Sequence, residues 1–156
     1  MDRMDHKIPT AAFILGLAGV LPFVWGVVTL MSGSMVALSA DLLGPRFTGP
    51  YVQISYGAVI LTFMSGVLWG FAARSNGQLA TVGYAFSVVP ALWVFFMVGS
   101  GPGADLITLT AGFIAVLMLD WFFWKNGAAP AWWMSLRILL TALVCSSLIL
   151  TLVLLP

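Results

Sequence analysis

Residues 132–155 read WWMSLRILLTALVCSSLILTLVLL, a run of 24 residues with one charge, Arg137. A helix needs roughly 20 apolar residues to cross a bilayer, and few other settings tolerate so long a stretch without a polar face. Comparable runs recur at about 9–31, 51–73, 79–98 and 104–124. Transmembrane strands would show alternating segments of about 10 residues, and these runs are longer and apolar all round. Only 7% of the chain is charged, against about 25% in soluble domains, so no water-facing surface can be covered. The fold class expected is all-α: a polytopic helical membrane protein with five transmembrane helices, residues 1–156 forming a single membrane domain.

The junctions between runs carry physical markers. Pro50 opens the second span, where its missing N–H does no harm. Asn76-Gly77 and Asn126-Gly127 are turn dipeptides. Gly99-Ser100-Gly101-Pro102-Gly103 makes a tight connection, after which Asp105 falls in the first turn of the fourth helix and complements its dipole. The long connection 32–50 sets apolar Met35, Val36, Leu38, Leu42 and Leu43 around Ser39 and Asp41. It reads either as a short interfacial helix between spans one and two or as an ordered loop. The first span is too long for a signal core and is interrupted by Pro22 and Trp25, so it is expected to be retained.

Arg3, Lys7, Arg74, Lys125 and Arg137 gather on one side of the five-span layout, and Arg46 alone lies on the other. An excess of Lys and Arg marks the cytoplasmic face, which predicts an N-in/C-out orientation. Spans one and three both carry Pro-x-x-Trp (Pro22/Trp25 and Pro90/Trp93). Spans two and four both end in Trp, a basic residue and Asn-Gly, which is compatible with duplicated hairpins. Pro130/Trp133 repeats the same spacing at a boundary and weakens that pattern.

Two ions lie inside the hydrophobic runs. Lys125 marks the inner interface, with Trp121, Trp124, Trp132 and Trp133 as its aromatic belt. At 1.5 Å per residue, Asp120 lies about 7 Å inward from Lys125, and Arg137 about 6 Å inward from Trp133. The short turn between these helices makes them antiparallel neighbours, so the opposite charges share a depth. An unpaired ion in a membrane helix costs about 2.5–3.5 kcal/mol near the centre, which favours a structural ion pair. Intramembrane ions are also candidates for relays or ligand contacts. No further titratable group lies deeper to continue a relay, so a clasp is the stronger reading. Thr141, Cys145 and Leu148 share the Arg137 face and are expected to pack.

On the second span, Ser55, Thr62, Gly66 and Ala73 fall within about 40° on a wheel of 100° per residue. Gly70 borders them and completes Gly66-x-x-x-Gly70. This helix-contact stripe is expected to pack inside the chain in preference to a partner. YGAVILTFMSGVLWG (56–70), with WWMSLRILLT (132–141), LGLAGVLPF (15–23) and Asp120, resembles a family of small multi-pass proteins. It is a bacterial domain of unknown function with mitochondrial inner-membrane relatives in animals. The resemblance implies a five-helix inner-membrane protein with Gly66, Trp69, Gly70, Asp120 and Arg137 as motif residues, here in the bacterial cytoplasmic membrane. It implies no established activity.

Much chemistry is missing. His6 is the sole histidine and Cys145 the sole cysteine, so paired haem ligation, a metal cluster and a disulfide framework are not expected. No Ser/His/Asp set or phosphate-binding loop is present, and the scattered basic residues suggest no nucleic acid. No cofactor, metal or catalytic residue is therefore assigned. Pro22 and Pro90 free the carbonyls of Ala18 and Phe86 near the middle of their spans, through kinks or a midplane site. The expectation is a non-enzymatic accessory subunit or assembly factor that binds a membrane-protein partner or forms a homo-oligomer in the lipid bilayer. The alternative is a small transporter or channel using Asp120, Arg137 and the proline kinks.

Overall fold

The computed structural model describes residues 7–155, so Arg3 and His6 lie outside the described residues. Five helical segments are long and apolar enough to cross a membrane: Thr10–Met31, Tyr51–Ala73, Gly77–Met97, Pro102–Lys125 and Trp133–Leu154. The first is divided into α1 (Thr10–Ala18) and α2 (Leu21–Met31). A connecting helix α3 (Gly33–Leu43) and a 3₁₀ turn (Pro45–Phe47) lead to α4 (Tyr51–Ala73). The third span is divided into α5 (Gly77–Ser87) and α6 (Val89–Met97), followed by α7 (Pro102–Lys125) and α8 (Trp133–Leu154).

Four spans close into a ring. α2 packs on α4, α4 on α7, α7 on α8, and α8 back on α2. The ring surrounds a core that includes Phe23, Leu61, Leu109, Phe113, Val144 and Leu148. The α5–α6 span lies outside it, against α4 and α7. Gly112 makes room for α4 against α7, since a Cβ there would come 2.7 Å from Leu61 Cδ1. Without a solvent-driven force between spans, such backbone approach and interhelical hydrogen bonds hold the bundle together.

Both breaks follow from proline. Pro22 and Pro90 occupy the second position of α2 and α6, where the absent N–H and fixed φ suit a helix start but cannot continue the preceding helix. A new helix start also exposes unpaired amides. One of them, Ala91 N–H, donates to Ser65 Oγ of α4 at 2.9 Å, and Trp93 Nε1 donates to Thr108 O of α7 at 3.0 Å. The third span is thus bound to the ring by an amide that its proline break frees and by an indole two residues further on.

The connection 32–50 is helical over most of its length. Ser39 on α3 is buried and donates to Phe47 O at 3.1 Å, while Leu38, Asp41, Leu42 and Leu43 face outward. The turn that joins α7 to α8 needs Gly127 at φ +71°, a backbone that residues with a Cβ rarely adopt. Lys125 stands in the last turn of α7, where a cation favours the helix dipole.

Candidate functional site

Asp120 comes from the last two turns of α7 and Arg137 from the second turn of α8, brought side by side by the seven-residue connection. Arg137 Nε donates to Asp120 Oδ2 at 2.6 Å. The other carboxylate oxygen, Oδ1, accepts Trp133 Nε1–H at 2.8 Å. Asp120 is fully buried and Arg137 is 6% exposed. Both oxygens of the carboxylate therefore have a donor, as a buried anion requires. The guanidinium is less well served. It presents Nε alone to Asp120, and its buried Nη2 makes no hydrogen bond to a described residue. Leaving a buried donor unpaired costs about 1–3 kcal/mol.

The four tryptophans expected as an interfacial belt divide into two kinds. Trp121 and Trp124 are exposed, with Lys125 Nζ 4.8 Å from the Trp121 ring centroid and Trp124 Nε1 donating to Ala131 O. Trp132 is half-buried. Trp133 departs from the belt: its indole turns inward to Asp120 and meets Phe71 edge-on at 5.2 Å. The reason is its place as the first residue of α8, one turn before Arg137 on the same face. A buried indole N–H needs an acceptor, and the carboxylate provides it.

The helix-contact stripe faces away from the chain. Ser55, Thr62, Gly66, Gly70 and Ala73 are all exposed, and a Cβ added at Gly66 or Gly70 would meet nothing within 4 Å. The expectation that this face packs inside the chain is overturned. α4 instead buries the opposite side, with Leu61, Met64, Leu68 and Ala72. Leu61 and Met64 join the ring core, and Leu68 and Ala72 pack with Phe71 and Phe123 in a second cluster, which leaves the small residues outward. Thr62 donates to its own helix at Ala58 O, 2.8 Å away, so the outward stripe carries no unpaired hydroxyl at that position.

The opposite end of the bundle, near Arg46, is held by neutral groups that sequence reading passed over. Gln53 is fully buried and donates through Nε2 to Phe23 O at 2.7 Å. Gly49 N–H donates to Thr29 Oγ1 at 2.8 Å, and Trp25 Nε1 donates to Phe47 O at 2.9 Å. Gly26 makes room for this arrangement: a Cβ there would lie 2.5 Å from Gln53 Cγ. The glutamine inside an apolar run was the one visible signal. Asp105 likewise does more than complement a dipole, because its Oδ1 accepts the N–H groups of Gly99 and Ser100 and ties down the preceding loop.

Two cavities open among the helices. A larger one of about 640 Å³ lies near Arg46 between α2, the 3₁₀ turn and α4. A second of about 310 Å³ lies between α1, α2, α4 and α8, with Arg137 in its wall. Among the described residues, the only other buried charged side chain is Asp105, near the start of α7 and far along the helix from Asp120. Asp120 and Arg137 thus form an isolated clasp, suited to joining helices and to offering hydrogen bonds.

The sequence matches, over residues 8–153, the family described as "Protein of unknown function (DUF3429)". It is 32% identical to Transmembrane protein 69 of Xenopus tropicalis over 151 residues, covering 90% of this chain and 53% of the relative. It is 28% identical to Transmembrane protein 69 of Mus musculus over 150 residues, covering 94% of this chain and 57% of the relative. The chain spans about half the length of these curated relatives. No solved structure matches it. With five membrane-length helices and a family match along nearly its whole length, the chain is a multi-pass membrane protein that belongs to the DUF3429 family.

Proposed function

We infer that the protein is a non-catalytic integral membrane subunit or assembly factor that binds another membrane protein through the outward face of α4. The observation that supports this reading is the exposed Gly66-x-x-x-Gly70 stripe, with open space over both glycines. A face destined for lipid gains nothing from lacking side chains. A face destined for another helix gains close backbone approach, the main source of affinity between spans. Trp69 flanks the stripe, half exposed, and its ring packs on Tyr84 of α5, so the edge of this face is already ordered.

The test is co-purification of the tagged full chain at native expression in mild detergent, beside Gly66→Leu and Gly70→Leu variants. The native chain is expected to bring down a stoichiometric membrane protein or a second copy of itself. The leucine variants, whose Cβ would stand in open space on the outer face, should fold normally and lose it. Recovery as a lone monomer, or equal recovery from all three chains, would overturn the reading. Uptake or conductance in liposomes by the isolated chain would instead favour solute transport.

The same proposal sets the amino end inside. Lys7, Arg74 and Lys125 adjoin the ends of spans that meet on one side, with Arg46 on the other, which supports that orientation. A reporter fused after Leu155 that is active only in the cytosol would reverse it.

A further inference from the structure

We propose that the groove between α2 and α4 holds one phospholipid, with its phosphate on the Arg46 guanidinium and an acyl chain lying along the two helices. The recess, about 640 Å³, falls within the range of small-molecule sites. Most of its wall is apolar. Leu21, Val24 and Val28 of α2 stand across from Val52 and Val59 of α4, which gives about 10 Å of wall on each helix at 1.5 Å per residue. Val24 and Val59 are 44% and 61% exposed, so the groove is open along its side. Both helices belong to membrane-length spans, and what lies beside them there is hydrocarbon.

Charge selects the occupant. Arg46 lies in the 3₁₀ turn, between the end of the first span at Met31 and the start of the second at Tyr51, which places it at headgroup depth. It is exposed and lines the groove, its Cζ 5.4 Å from the ring centroid of Phe47, another wall residue. The turn that carries it is fixed. Phe47 O accepts Trp25 Nε1–H at 2.9 Å and the Ser39 hydroxyl at 3.1 Å, and Thr48 Oγ1 donates to Pro45 O at 2.7 Å. Among the described residues the one ion pair is Asp120–Arg137, so the Arg46 charge is left for an anion from outside the chain. A guanidinium engages phosphate oxygens through two N–H groups, and a basic side chain at the membrane surface attracts anionic lipid. A cation at one end of an apolar, laterally open groove matches a molecule with phosphate at one end and hydrocarbon at the other. Gly66 and Gly70 do not line this groove, so the proposal stands apart from the reading of the α4 stripe.

The test is native mass spectrometry of the purified full chain, titrated in mild detergent with dioleoyl phosphatidylglycerol, which counts bound lipids and gives the Kd of the first. One lipid is expected to bind well ahead of any other. Arg46→Gln should weaken it about tenfold or more, through loss of a charged hydrogen-bonding contact, and Arg46→Lys should weaken it less. Val24→Trp, which fills the groove from a partly exposed position, should also weaken it, whereas Val24→Ala, which widens the groove, should not. Dioleoylglycerol, with the same chains and no phosphate, should not compete. The proposal is overturned if Arg46→Gln or Val24→Trp binds lipid like the native chain, if dioleoylglycerol competes equally, or if lipids add statistically with no first site. Co-purification of a protein chain that both Arg46→Gln and Val24→Trp release would give the groove to a partner helix and overturn it as well.

Discussion

The two ends of the bundle solve one problem in different ways. Near Lys125, α7 and α8 are joined by an ion pair and an indole focused on a single carboxylate. Near Arg46, α2, α4 and the connection are joined by separate neutral bonds from Gln53, Thr29, Trp25 and Ser39. The charged end concentrates its polar contacts, so each partner is indispensable to the others. The neutral end distributes them, and each can fail alone. In a membrane, removing half of an ion pair leaves a charge that nothing solvates, whereas removing one neutral donor leaves a carbonyl.

The largest effect should come from breaking the pair. Arg137→Ala is expected to cost about 3–5 kcal/mol, because it leaves Asp120 buried and uncompensated. Asp120→Asn should also be destabilising, and the double variant should cost less than the sum by about 0.5–3 kcal/mol. Equilibrium unfolding in detergent micelles measures the cycle; strict additivity would show that the two groups act independently. Next comes Trp133→Phe, which keeps the ring against Phe71 but removes a donor from a carboxylate. A loss of about 1.5–3 kcal/mol is expected by the same measurement. No loss would return Trp133 to a purely interfacial role.

The smallest effect should fall at the neutral end. Gln53→Leu removes the bond to Phe23 O and also a buried Oε1 that has no partner, so the two changes oppose each other. The net cost should be within about 1 kcal/mol. A loss as large as that of Arg137→Ala would mean that the neutral end is as concentrated as the charged one, and the contrast between them would vanish.

Sequence carried the five spans because length and apolarity act over whole segments. It also carried the two proline breaks, since a missing N–H cannot be compensated locally. It could not tell which way the α4 stripe faces, for a surface of small residues is equally suited to a neighbour in the same chain or in another. Nor could it separate Trp133 from Trp121, Trp124 and Trp132, because every tryptophan near an interface has the same composition signal. What distinguishes Trp133 is a depth and an angle set by the start of α8. The bonds of Thr29 and Ser39 were hidden for another reason. Serine and threonine satisfy themselves on their own helices so readily that their presence in a span announces no partner.

Ring closure by α8 has a consequence for biogenesis. α8 leaves the ribosome after the other four spans and brings the one cation among the described residues that meets Asp120, and it closes the ring between α7 and α2. A nascent chain with four spans inserted holds a naked carboxylate in oil beside an unfinished wall. Insertion of α8 and neutralisation of that charge are one event, so chains that stop short of α8 differ from those that contain it in a property that membrane quality control can sense.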